Sequence, residues 1–137
     1  MTEKITLEIK SDELRKMLLD YYQEFYNDKS IDIVFVPKKE QDEELDFKYL
    51  TTYIILRKTK PIDLKIGKCT SVIEQQLFSE DIKKVLNSYL SETEYKVINI
   101  TFRTSEQPPS FDEEENYSFD GISVSLKQKQ KVKQKTK

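Results

Sequence analysis

Three sets of residues in this chain carry chemistry by type or spacing. The first is a pair of acidic runs, Asp42-Glu43-Glu44 and Asp112-Glu113-Glu114-Glu115. Oxygen-rich groups of this kind hold Mg²⁺ or Ca²⁺ when a turn gathers them. Neither run has the spacing of a calcium-binding loop, and no glycine stands where such a loop turns. Both therefore read as solvated loops, and no metal ligand is assigned. The second set is aromatic: Tyr49 and Tyr53 in one segment, Tyr117 and Phe119 in another. On an open sheet face such rings stack on bases or flat ligands, whereas in a sheet core they fill space. These four are the candidate ligand- or partner-binding residues, although the neighbouring acids would repel phosphates. The third set is Lys127, Lys129, Lys131, Lys133, Lys135 and Lys137, alternating through the C-terminal segment. They offer charge without arginine or aromatic partners, which suits weak, non-specific nucleic-acid contact by counterion release.

What is missing bounds the chemistry more tightly. The 137 residues include no histidine, two glycines and one cysteine, Cys69. His-assisted serine or cysteine catalysis and nearly all zinc sites are thereby removed. A glycine-rich phosphate loop or dinucleotide fingerprint is removed as well. Cys69 has no histidine to activate it and no second cysteine to pair with, so it reads as unreactive. Arg15, Arg57 and Arg103 are isolated in sequence, but Arg57 and Arg103 each follow an apolar run and could face a common cleft. The chain is read as a non-enzyme with no cofactor.

The elements that must position these residues follow from periodicity. Ile5, Leu7 and Ile9 alternate with polar residues, as in a strand buried on one face. Ser11 with Asp12 and Glu13 reads as a helix N-cap and acidic first turn, and Leu14, Leu18, Tyr21, Tyr22 and Phe25 form one helix face. "IDIVFV" (31–36) reads as a strand stopped by Pro37. A β-prone run from about 47 to 56 ends at "RKTKP", which reads as a turn, and Ile62, Leu64 and Ile66 alternate again. Val72 and Ile73 suit a short strand.

The pattern then restarts. "SDELRKMLLDYY" (11–22) lies over "SEDIKKVLNSYL" (79–90), and "IDIVF" (31–35) over "INITF" (98–102). Each half continues into an acidic loop and an aromatic strand. The expected fold is α+β, a tandem pseudo-repeat of two β-α-β-β units, about 4–58 and 70–126, within one domain, 1–126. Each unit would make a three-stranded sheet with a helix across it. The whole would be a largely antiparallel sheet with two helices packed on one face. The expected strand core is Ile5, Leu7, Ile9, Ile31, Ile33, Phe35, Ile98, Ile100, Phe102, Ile122, Val124 and Leu126.

Residues 127–137 read as a disordered Lys-rich tail. Without its six lysines, the 23 basic residues fall to 17 against 25 acids, a net charge of −8. No apolar run reaches the roughly 18 residues that a membrane helix needs, and the N-terminus lacks a signal-peptide pattern. No membrane association and a cytoplasmic location are expected.

This order of elements resembles the strand-helix-strand-strand unit that occurs in tandem in the gyrase-inhibitor-like, effector-binding domains of some multidrug regulators. The resemblance implies a small-molecule cleft between paired units. It includes no signature motif, so no binding residue is carried over. The lysine-rich, arginine-poor composition matches A+T-rich coding, as in many phage and mobile elements. The functional expectation is a small interaction or regulatory protein binding a protein partner. A small-molecule-binding domain and weak nucleic-acid binding through the tail are the alternatives.

Overall fold

The computed structural model describes residues 4–107 and 116–129. The N-terminal alternation forms β1 (Ile5–Lys10), which passes without a loop into α1 (Ser11–Phe25). Leu14, Leu18 and Tyr22, spaced by four, are its buried stripe. Then come β2 (Ile31–Asp42), β3 (Phe47–Leu64) and β4 (Gly67–Leu77). Helix α2 (Ser79–Tyr89) buries Ile82, Val85 and Leu86, and β5 (Tyr95–Gln107) and β6 (Asn116–Gln128) complete the order.

The chain is α+β, with two helices and six strands in two antiparallel sheets. The orders are β1-β6-β5 and β2-β3-β4. The expected grouping of β1 with β2 and β3, and of β4 with β5 and β6, does not form: β1 pairs with β6, and β4 with β3. The β5–β6 hairpin leaves one side of β6 unpaired, and β1 closes it from Ile5 opposite Leu126 to Lys10 opposite Gly121. The β2–β3 hairpin leaves one side of β3 unpaired, and β4 closes it. Each pairing satisfies a row of main-chain groups that would otherwise be an open edge.

The expected N-cap of α1 is displaced by one residue, and α2 begins in the same way. Ser11 and Ser79 are the first helical residues, and extended Lys10 and Phe78 precede them as N-caps. In α2 the capping group is the Asp81 carboxylate, which accepts the Phe78 N–H at 2.8 Å. Neither proline ends its strand. β2 continues through Pro37 to Asp42, because β2 is a sheet edge where a missing donor is tolerated. β3 continues through "RKTKP" to Leu64. Its pairing with β2 ends at Lys58, so Pro61 also stands on an edge.

The core lies where the helices meet both sheets. α1 packs on β2 and β6, α2 on β5 and β4, and the helices touch each other. The Tyr89 hydroxyl donates to the Met17 carbonyl at 3.2 Å across that contact. Phe35 of one sheet meets Phe119 of the other edge-on, with centroids 4.7 Å apart. Nearby, Thr52 is buried and its hydroxyl bonds that of Thr104 at 2.6 Å, which satisfies both polar groups. Two expected core residues fall elsewhere. A bulge between Val97 and Asn99 buries Val97 and turns Ile98 outward, and Leu7 is also left exposed. β6 runs to Gln128, so Lys127 is part of the sheet, paired opposite Lys96.

Candidate functional site

The four aromatic candidates do not form one platform. Tyr49 and Tyr53 lie on the face of β3 opposite that of buried Thr52, Ile54 and Leu56. Tyr49 is exposed beside Phe47, with ring centroids 5.9 Å apart. Tyr53 is half-buried, donates its hydroxyl to Glu40 Oε1 at 2.6 Å and lies under the Lys38 ammonium, 4.6 Å from its ring centroid. Lys38 Nζ also reaches Glu40 Oε1 at 3.0 Å. The Tyr53 and Lys38 hydrogen bonds hold the Glu40 carboxyl below its usual range. The Glu40 bond in turn raises the Tyr53 phenol and the Lys38 ammonium. These groups satisfy one another on an open surface and contain no activated nucleophile.

Tyr117 and Phe119 belong to the other sheet. Phe119 is buried between Phe35 and Phe102 and is a core ring. Tyr117 is half-buried and lines an open groove of about 300 Å³ with Lys38, Lys39, Glu40, Gln41 and Lys48. Of the tail lysines, Lys127 is exposed in β6. The Lys129 ammonium donates to the carbonyls of Leu90, Ser91 and Thr93 at 3.2, 3.0 and 2.8 Å. It caps the C-terminus of α2, where a cation is favoured. Lys131, Lys133, Lys135, Lys137 and the 112–115 acids lie outside the described residues.

Arg57 and Arg103 do not share a cleft. Arg57 pairs with Glu74 of the neighbouring strand, Nη2 to Oε1 at 3.1 Å. Arg103 stands on the other sheet, in a cavity of about 520 Å³ shared with Glu8, Lys10, Asp12, Ser118 and Asp120. Its Nε is buried and has no hydrogen-bond partner among the described residues. The guanidinium lies over Gly121, where a Cβ would come within 3.0 Å of Nη2. The register shift between Arg103 and Thr104 sets this position. The sequence held part of the signal, an arginine following an apolar run, but not the register that sets it opposite Gly121.

A second feature was masked by the expected turn at "RKTKP". Beyond Lys58, β3 pairs only with β4, so residues 59–72 make a two-stranded arm that leaves the body. Ile62, Leu64 and Val72 are exposed along it, Ile73 is exposed at its base, and Ile66 at its tip is 90% exposed. At its base Lys58 bonds Asp28 at 2.8 Å. That bond, followed by those from Ser30, holds the Asp28 carboxyl well below the usual carboxylate range. Along the arm, Lys58, Lys60, Lys65 and Lys68 outnumber Asp63. A two-stranded hairpin with no third strand is marginal in water, and apolar side chains grouped on it mark a contact surface.

No family model, curated protein or solved structure matches this chain. Among the described residues, no helix is long and apolar enough to cross a membrane, and no cluster of three or more His, Cys, Asp or Glu is placed to hold a metal ion.

Proposed function

We propose that this chain is a non-enzymatic interaction protein that engages a protein partner through the β3–β4 arm. The observation that carries this reading is the exposure of Ile62, Leu64, Ile66, Val72 and Ile73 on a ribbon outside the core. Strands that bind by edge addition supply main-chain hydrogen bonds for affinity and alternate side chains for specificity, and the arm offers both.

The arm also fits a duplicated origin. If β1, β2 and β3 correspond to β4, β5 and β6, the order β1-β6-β5 becomes β4-β3-β2, which is the second sheet reversed. What supports duplication is this correspondence together with the matched helix faces. On that reading the arm is the junction of the two copies. β3 has 18 residues to the 13 of β6, and β4 has 11 to the 6 of β1. The extra length projects as the arm.

The test is a photo-crosslinking side chain at Ile62 or Ile66 of the full-length protein in its native cells. Adducts at both positions, and none at exposed Glu92 in the turn after α2, are expected. Adducts at Glu92 alone, or none at the arm, would exclude the reading.

The unpartnered Arg103 Nε favours a second reading, a small ligand in the Arg103 cavity. Because Glu8, Asp12 and Asp120 line the same space, that ligand carries an anionic group for Arg103 and a cationic group for the acids. A thermal shift with amino-acid-like zwitterions that disappears in Arg103→Leu supports it. A full panel without a shift refutes it.

A further inference from the structure

We infer that the occupant of the arm is a second copy of the chain, joined antiparallel along the free edge of β4 about a twofold axis through Ser71. This rests on the reading of the arm as a partner-binding element and names the partner.

Among the described residues, one side of β4 pairs with β3 and no strand pairs with the other. A twofold perpendicular to the sheet places residues of like parity opposite each other. Edge lysines ordinarily discourage such pairing. Centring the axis on Ser71 removes that obstacle, because Lys68 of each copy then stands opposite Glu74 of the other, twice per dimer. Both residues lie on one face of β4, the face on which Glu74 already pairs with Arg57. Moving the axis to residue 70 places Lys68 opposite Val72, and moving it to residue 72 places Lys68 opposite Gln76. Only the Ser71 centre of these three matches the charges directly.

The same register accounts for the exposed apolar groups. On the face continuous with the core, Ile73 of one copy stands opposite Cys69 of the other. On the opposite face, Val72 stands opposite Thr70. The tip of each arm, with exposed Ile66, runs to residues 76–78 of the other copy, where Phe78 is 60% exposed. Lys65 at that tip approaches Glu80 in the first turn of the other copy's α2. Overlap over residues 67–75 gives about nine main-chain hydrogen bonds, within the roughly ten that an ordinary interface carries. The result is a four-stranded ribbon, β3-β4-β4-β3, in place of two marginal two-stranded ones.

The register is read with cysteine. Directly opposed residues on antiparallel strands have Cα atoms about 4.5–5.5 Å apart, within disulfide reach. Cys69 is free and exposed, so Ile73→Cys in the full chain should give an intermolecular disulfide on mild oxidation. Wild type should not crosslink, because Cys69 is opposite Ile73 rather than itself. Val72→Cys, on the other face, should not crosslink either. Light scattering should give twice the chain mass. Lys68→Glu, which turns two attractions into two repulsions, should weaken the dimer about tenfold or more. A monomer with no Ile73→Cys product overturns the inference, as does equal crosslinking of wild type or Val72→Cys. If the protein is monomeric while Ile66 still captures a different protein in cells, the second copy is wrong and the arm reading stands. If both fail, the arm is not a contact surface.

Discussion

Gly121→Ala tests the feature on which the pairing of β1 with β6 depends. Gly121 lies at the end of the β1–β6 ladder, opposite Lys10, and its φ is +132°. An alanine Cβ there would come within 2.1 Å of the Ile9 carbonyl oxygen and 2.9 Å of Lys10 Cα, where real contacts do not fall under 3.0 Å. Both neighbours are backbone, so no side-chain rotation relieves the contact, and β1 must move off β6. The backbone conformation alone costs an L-residue about 1–3 kcal/mol. Forcing an extra carbon into packed backbone adds about 1–3 kcal/mol. A loss of about 4 kcal/mol, the middle of a range of about 2–6, is expected, a large share of the 5–15 kcal/mol typical of a small domain. At roughly 3–5 °C per kcal/mol for this size, the melting temperature should fall by about 10–20 °C. Urea unfolding followed by circular dichroism measures the same loss independently. Combining the change with Arg103→Ala should not rescue it, because the closest contact is to Ile9. A variant that melts within about 2 °C of wild type would refute the pairing of β1 with β6 in this register.

Two further predictions probe the helices. Lys129→Met removes the cation that bonds the Leu90 carbonyl at the end of α2 and the Ser91 and Thr93 carbonyls of the following turn, and should lower stability by about 0.5–1 kcal/mol, read as a small drop in melting temperature. The Tyr22 phenol is pushed up to about 12 by burial and then by Asp81. The folded state therefore keeps its proton where the unfolded chain, titrating near 10, has lost it. Its contribution is complete below pH 10 and falls as pH rises toward 12. Tyr22→Phe should flatten part of the alkaline loss of melting temperature, and an unchanged pH profile would rule out Tyr22 as a source of it.

The helices were legible in the sequence because their signal is local. Leu14, Leu18 and Tyr22, and Ile82, Val85 and Leu86, are spaced by the helix period and nothing distant alters which face they share. The alternating strands were legible for the same reason, from Ile31 and Ile33 to Val124 and Leu126. Strand ends were not. A proline reads as a stop only in a strand paired on both sides, and Pro37 and Pro61 both stand on edges. Ile98 was placed in the core by its alternation with Ile100. One bulge, invisible in composition, reversed it. The aromatic candidates separated because the two pairs stand on different sheets, and because two residues along β6 are enough to pass from the core to its margin. Phe119 entered the core, and Tyr117 reached a groove whose lysines come from β2 and β3. The Arg103 cavity required β1, α1, β5 and β6 together, a meeting that no local pattern encodes.

The pairing of β1 with β6 has a consequence for how the protein is made. Among the described strands β1 leaves the ribosome before the others and its partner β6 after them, whereas β2, β3 and β4 close their sheet with consecutive segments. At roughly 5–20 residues per second, β1 waits several seconds or longer for the strand it must join. Through that interval the growing chain holds a finished hairpin sheet and a helix whose second packing surface does not yet exist. Closure of this sheet thus waits for β6. A chain cut short before β6 leaves Ile5, Leu7 and Ile9 without a ladder, and is marked by that exposed strand for recognition by chaperones and proteases.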